Sequence, residues 1–151
     1  MPEFEKKIEA VVDVTRPAFE GIEEMSTKEV GDLGEALARS FLCDNGLEIA
    51  EANWKTPFGE VDIVANDEFG TVFVEVKSRR LLGFSVDEID MPAPEEAFDE
   101  KKFERYAKMA EFYQMVHEEC EQIRFDVVGI TFLSDRIALI SYLVGGIWWG
   151  E

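Results

Sequence analysis

The chain is poor in the residues from which many metal and nucleophile sites are built. It has one histidine, His117, and two cysteines, Cys43 and Cys120. A Ser-His-Asp triad or a histidine-based zinc site therefore has little to draw on, and the cysteine count excludes a Cys-rich zinc site. Both thiols fall in stretches that read as helix, and reduced, partly buried side chains are expected. Long apolar runs are missing too. The longest, IALISYLVGGIWW, is broken by two glycines and falls short of the roughly 18 residues a membrane span needs. MPEFEKKIEAVVDV has no secretory apolar core, so the expected location is the cytoplasm, with no membrane partner. Positive charge is scarce: 15 basic residues stand against 33 acidic ones, a net charge of −18. That argues against a protein that coats nucleic acid non-specifically, since phosphate affinity comes largely from Lys and Arg.

The acidity is uneven. Residues 1–26 carry seven acids and three bases, and VDEIDMPAPEEAFDE carries seven acids and no base. The 151 residues suit one domain with a real core. Residues 3–13 have the spacing of a short amphipathic helix, and Pro17 breaks the chain soon after it. The spacing of Val30, Leu33, Leu37 and Phe41 predicts a helix from a Ser26 or Thr27 cap to about Asn45, stopped by Gly46. A strand is expected over Leu47–Trp54, and Pro57 and Gly59 then turn the chain into a hairpin. A second helix is expected over about Glu96–Glu119, then the strands RFDVVGITFL and RIALISYLV. This order predicts an α/β fold with helices packed on a mixed sheet.

The hairpin GEVDIVANDEFGTVFVEVKSRR holds the chemistry. Its strands are mostly Val, Ile and Phe, yet Asp62, Glu75 and Lys77 sit among them. Buried charges are costly unless compensated. A four-residue loop, Asp67–Gly70, would pair Asn66 with Thr71, Val64 with Phe73, Asp62 with Glu75 and Glu60 with Lys77. Asp62 and Glu75 would then lie about 5 Å apart at Cβ. Two carboxylates that close repel each other, and a divalent cation between them removes the conflict. Hard oxygen ligands at that spacing suit Mg2+ or Mn2+. Lys77, on the same face, would orient a water or stabilise charge on a phosphate. The same residues also fit a half-exposed sheet with Asp62 in water and Glu60–Lys77 as an ordinary cross-strand pair.

Taken together, LGEALARSFLCDNG, GEVDIVA, VFVEVKSRR and RFDVVGI closely resemble the YraN-like family, a widespread bacterial family in the restriction-endonuclease-like PD-(D/E)xK superfamily. The resemblance covers roughly residues 28–132. It implies a three-layer core, a central mixed sheet of about five strands flanked by helices. The chain divides into an acidic extension at 1–26 and a nuclease-like domain at 27–147 with an acidic loop insert near 84–97; the extension and the insert depart from the family's pattern. Asp62 falls on the superfamily's first metal-binding acid, Glu75-Val76-Lys77 on its (D/E)xK element, and Glu35 on an additional acid often supplied by the first helix. The Val76 carbonyl would be a further metal ligand, and Glu60 would line the site. Glu35 has a second reading as a helix ion pair with Arg39, four residues on. Val61 stands where the superfamily's name has proline.

The implied activity is Mg2+- or Mn2+-dependent hydrolysis of DNA, with structured or branched DNA as substrate because the global charge opposes generic binding. The alternative is a non-catalytic nucleic-acid-binding or protein-interaction scaffold whose acidic segments recruit a basic partner. A homodimer would supply two sites for two strands. Seven bases fall near the hairpin or on the second helix: Lys77, Arg79, Arg80, Lys101, Lys102, Arg105 and Lys108. Lys101, Arg105 and Lys108 share one helix face, which reads either as a phosphate-binding strip or as a solvated surface. Trp148 and Trp149 read as packing residues before base-stacking ones, and His117 as a packed histidine.

Overall fold

The computed structural model describes residues 4–13, 18–90, 98–146 and 148–150. Its first long helix, α1 (Thr27–Asp44), opens on a capping box. The Ser26 hydroxyl accepts from the Glu29 N–H, and the Glu29 carboxylate accepts from the Ser26 N–H, both at 3.1 Å. At its far end Gly46 sits at φ 89°, and the Leu47 N–H turns back to the Leu42 carbonyl at 3.0 Å. Val30, Gly34, Ala38 and Leu42, spaced by four, form the buried stripe.

The strands are β1 (Phe4–Asp13), β2 (Glu48–Thr56), β3 (Gly59–Asn66), β4 (Thr71–Arg80), β5 (Ile123–Phe132), β6 (Ile137–Gly145) and the short β7 (Trp148–Trp149). They form one sheet in the order β1-β6-β5-β4-β3-β2, with β7 alongside β5. Every pairing is antiparallel except β4 with β5. That exception has a topological cause. Parallel neighbours need a crossover connection, and the second long helix, α2 (Glu100–Val116), supplies it.

The two helices cover opposite faces. The α1 side buries Leu42, Ile63, Val74, Val128 and Ile130. The α2 side buries Trp54, Phe73, Tyr106, Tyr113 and Phe125. Two covered faces explain why β5 is buried along nearly its whole length, Arg124 and Asp126 included. The result is the expected layered α/β architecture, with a wider sheet than the five strands anticipated. Among the described residues no helix is long and apolar enough to cross a membrane.

Three expectations need correction. Phe4–Asp13 is a strand, not an amphipathic helix: it pairs antiparallel with β6 from Phe4–Gly145 to Asp13–Ile137. Its Ile8, Ala10 and Val12 pack on the α1-side core at period two. Cys43 is exposed rather than partly buried, and Cys120 lies beyond the end of α2. The second helix starts four residues later than expected, because Asp99 caps it by accepting from the Lys102 N–H at 2.8 Å. The break expected at Pro17 and the 91–97 part of the acidic insert lie outside the described residues. Within the rest of that insert, Ser85 and Glu88 cap a single 3-10 turn, Val86–Glu88.

Candidate active site

The hairpin has the register its sequence implies. Asn66 pairs with Thr71, Ala65 with Val72, Val64 with Phe73 and Ile63 with Val74. Asp67 closes the loop: its N–H donates to the Gly70 carbonyl at 3.0 Å, and its carboxylate accepts from the Phe69 and Gly70 N–H groups. The ladder then stops short of Asp62. Hydrogen-bonded pairs alternate along an antiparallel ladder, so the next after Ile63–Val74 would be Val61–Val76. Asp62 replaces it. Its Oδ2 accepts the Val76 N–H at 2.8 Å. The backbone of β3 turns over at this point: Val61 joins the α2-side core, while Ile63 joins the α1-side core. Strict alternation would have put both on one face. β3 therefore parts from β4 at Asp62, and a side chain holds the gap. A residue's N–H and C=O point the same way in an extended strand, so the Val76 carbonyl faces the same gap.

Glu75 stands on the α2 side of β4. Its carboxylate is nearly buried, at 12% exposure, and carries three neighbours. The Tyr106 hydroxyl donates to Oε2 at 2.5 Å. The Lys102 ammonium lies 3.3 Å from Oε1, and the Lys77 ammonium 3.9 Å from the same oxygen. Lys77 is half-exposed while Lys102 is largely covered. Burial, then the neighbouring Lys77 ammonium, pull the Lys102 pKa down. Burial first, then Glu75, hold the Tyr106 hydroxyl well above its ordinary value, so it stays a hydrogen-bond donor.

The third group of acids approaches from the α1 side. Asn53, the one described non-glycine residue at positive φ (53°), sits in β2 beyond a register shift. With its amide nitrogen turned toward the acids, it donates to Glu60 Oε1 at 3.1 Å and to Glu35 Oε2 at 3.2 Å. Glu35 thus reaches the site through Asn53, and the expected pairing of Glu60 with Lys77 is replaced by this bridge. In the strand ladder Glu60 pairs with Lys55.

The electrostatic result falls on Asp62. Its pKa is pushed up from 3.8 to about 7, first by burial, then by Glu75, with Glu35 and Glu60 adding smaller contributions. The Val76 hydrogen bond opposes the rise. Glu35 is also raised, chiefly by burial, against the pull of Asn53. An acid held in this discomfort beside a second carboxylate and a carbonyl is a donor set that suits a hard divalent cation. Asp62, Glu75 and the Val76 carbonyl fit Mg2+ or Mn2+ on that ground. Glu35 does not complete a tight triad: among the described residues no three acids, histidines or cysteines converge closely enough to hold a metal ion.

The predicted bases divide into two groups. Arg80 turns to the α1 side, where its guanidinium donates to the carbonyls of Ile22 at 3.0 Å and Met25 at 2.6 Å. Arg79 donates to the Thr131 hydroxyl and the Asp90 carbonyl, each at 3.0 Å. Lys102 serves Glu75. Lys101, Arg105 and Lys108 remain exposed on α2. The side chain of Arg105 crosses over Gly59 at the start of β3, where an added Cβ would lie 3.0 Å from its Cδ.

The family model of the uncharacterised protein family UPF0102 matches residues 34–130, from within α1 to near the end of β5. The chain belongs to that family. This is the YraN-like family that its motifs resemble, and the match includes Glu35, Asp62, Glu75 and Lys77. A UPF0102 protein of Dictyoglomus thermophilum is 41% identical over 122 residues, covering 80% of this chain and 98% of its own. One from Nocardia farcinica is 38% identical over 115 residues, covering 76% and 85%. One from Dictyoglomus turgidum is 38% identical over 119 residues, covering 78% and 94%.

Asn53, Tyr106 and Lys102 in its supporting role escaped the sequence reading. Lys102 and Tyr106 are four residues apart on one helix face, so both can reach one carboxylate. That spacing was readable. Nothing local marks Asn53, because its role depends on a register shift in β2.

Proposed function

We propose that this protein is a metal-dependent nuclease that hydrolyses phosphodiester bonds of DNA, acting where β3 parts from β4. One observation carries the reading: Asp62 is lodged in that gap, with its pKa pushed up to about 7 beside Glu75. A structural carboxylate is normally placed where its charge is welcome. Here the charge is unwelcome until a cation arrives, which is the arrangement a catalytic site uses.

The chain's own groups then have distinct tasks. Asp62, Glu75 and the Val76 carbonyl would hold Mg2+ or Mn2+, which would supply Lewis-acid polarisation and a more acidic water. Asp62 also fixes the Val76 backbone through its N–H. Tyr106 and Lys102 lock the Glu75 carboxylate in place. Lys77 stands next to Glu75 with half its side chain in solvent, where it stabilises negative charge on a phosphoryl oxygen. The net charge of −18 favours a substrate with local structure, such as a flap, branch or end, over generic duplex.

A scaffold reading has one observation in its favour. Lys102 and Tyr106 already satisfy Glu75, so the site is internally compensated on the α2 side. Labelled single-stranded, duplex, flap and four-way-junction DNA, incubated with Mg2+ or Mn2+, separates the readings. Cutting that Lys77→Ala and Glu75→Ala both lose supports the nuclease. Metal binding without cutting of any substrate favours the scaffold.

A further inference from the structure

Phe58 occupies the tip of the β2–β3 turn and is 45% exposed. Turn tips usually carry Gly, Asn, Asp or Ser, so a solvent-facing phenyl ring there invites a reason. The turn is stiff. Pro57 fixes its own φ. The Thr56 hydroxyl donates to the Gly59 carbonyl at 2.9 Å and accepts from the Phe58 N–H at 3.0 Å. The ring is also backed. It meets Phe112 of α2 edge-on at 6.3 Å, and Phe112 rests on Trp54 at 6.0 Å, within the aromatic core. One side of Phe58 is anchored, and much of the ring remains open to solvent.

Its neighbours point to a ligand. Arg105 crosses over Gly59, the next residue, with its guanidinium carried on an exposed position of α2. Phe58 and the acids lie along one route. Phe58 and Asp62 are four residue steps apart, about 13 Å along an extended strand. Along α2, Lys102 touches Glu75 and, ten residues on, Phe112 touches Phe58, about 15 Å. Both paths run on the α2 side, where Lys101, Arg105 and Lys108 lie exposed. The two tryptophans near the C-terminus are not competitors for this role. Arg124 covers Trp148 at 5.0 Å, and Trp149 packs on Phe103.

We propose that Phe58 and Arg105 form a stacking platform for an unpaired nucleotide of DNA, with Arg105 taking the adjoining phosphate. The proposal rests on the nuclease reading of the Asp62–Glu75 site and specifies it. Base–aromatic stacking tolerates any sequence, since every base has a π-face. A platform some 13 to 15 Å from the acids selects a strand that is single-stranded beside the cleaved bond. Duplex DNA, whose bases are already stacked, gains nothing from it.

The test measures binding in chelator, where no cutting occurs. The probes are a blunt duplex, the same duplex with a nine-nucleotide single-stranded overhang, and an overhang bearing 2-aminopurine at successive positions. Phe58→Ala should weaken overhang binding about tenfold while leaving the blunt duplex within about twofold. Phe58→Trp should restore it. Quenching of 2-aminopurine should peak at one position and vanish in Phe58→Ala. Arg105→Gln should lower the salt slope of overhang binding by about one. Equal losses on both probes, no loss on either, or no overhang binding by the unaltered protein would each overturn the proposal. The two readings fail separately. Selective overhang binding without cutting in Mg2+ or Mn2+ leaves the platform and removes the nuclease. Cutting with unchanged substrate preference in Phe58→Ala does the reverse. Phe58 is half-exposed at a turn, and equal melting temperatures would exclude a folding defect.

Discussion

The raised pKa of Asp62 turns into a stability measurement with a definite sign. In the unfolded chain Asp62 titrates near 3.8, and in the folded protein near 7. Between those values the folded state holds a proton that the unfolded state has released. Stability therefore falls as pH rises through this window, the reverse of an ordinary salt-bridged aspartate. Going from pH 5 to pH 8, the linkage relation makes the loss from this one group about 2–3 kcal/mol. Other acids in a chain of charge −18 also respond to pH, so the useful quantity is a difference. Asp62→Asn keeps an oxygen acceptor for the Val76 N–H and cannot ionise. Urea unfolding of both proteins at pH 5, 6, 7 and 8, monitored by tryptophan fluorescence, gives two stability curves. At pH 8 the variant should be the more stable, by about 1–2 kcal/mol after the weaker neutral hydrogen bond is allowed for. The gap should shrink and reverse toward pH 5. Parallel curves would mean that Asp62 is ionised at no cost in the folded protein, and the argument from its discomfort would collapse.

The same geometry carries three more expectations. At pH 8, Mg2+ or Mn2+ should raise the unfolding midpoint of the unaltered protein and not that of Asp62→Asn or Glu75→Ala, by ligand linkage. A chelator titration checks this, and equal shifts in all three would count against these donors. Gly34→Ala should destabilise by about 1–2 kcal/mol despite better helix propensity, because the added Cβ would collide with the Ser78 hydroxyl. Ser78→Gly in the same chain should recover most of that loss in urea titrations, and Ser78→Ala alone should be neutral or stabilising, since that buried hydroxyl has no partner. Asp126→Ala should cost about 3–5 kcal/mol by calorimetry or urea. The fully buried Asp126 accepts from Arg124 twice at 2.9 Å, from Tyr142 and from the Gly145 N–H.

Much of the fold could be read from the chain because its signals are local. The Ser26–Glu29 box starts α1 where the capping pattern says, and the Asp67–Gly70 loop sets the hairpin register. The failures are equally physical. FEKKIEAVVD satisfies helical spacing and strand alternation at once, and short apolar patterns cannot separate the two. Its choice is made by β6, a neighbour more than 120 residues away in sequence that offers it an open edge. At the site, Asp62, Glu75 and Lys77 stood out because charge among Val and Ile is anomalous. The direct Asp62–Glu75 strand pairing that alternation suggested is absent, since the ladder ends one pair earlier and Asp62 bonds to Val76 instead. A carboxylate replacing a main-chain acceptor leaves no periodic trace in sequence.

Charge is the point where composition misleads most. A net −18 suggests a molecule that repels DNA, yet the charges around the site are sorted by face. Glu35 and Glu60 gather on the α1 side, bridged by Asn53. Lys77, Lys102 and Arg105 gather on the α2 side, with Lys101 and Lys108 exposed on the same helix. Arg79 and Arg80, which the sequence offered as phosphate ligands, spend their guanidinium groups on carbonyls and a threonine. Four exposed bases remain: Lys77, Lys101, Arg105 and Lys108. At physiological salt, exposed charges more than about 8 Å from a phosphate are largely screened. The approach of a strand along α2 is therefore governed by these four and the partly buried Lys102, not by the distant acidic surface. Four phosphate contacts would give a salt slope near −3.6, since each contributes about −0.9 on duplex DNA. That is modest beside a protein built to coat DNA. Weak, face-specific attraction leaves discrimination to contacts that only a particular substrate makes, and the exposed ring of Phe58 stands where such a contact would form.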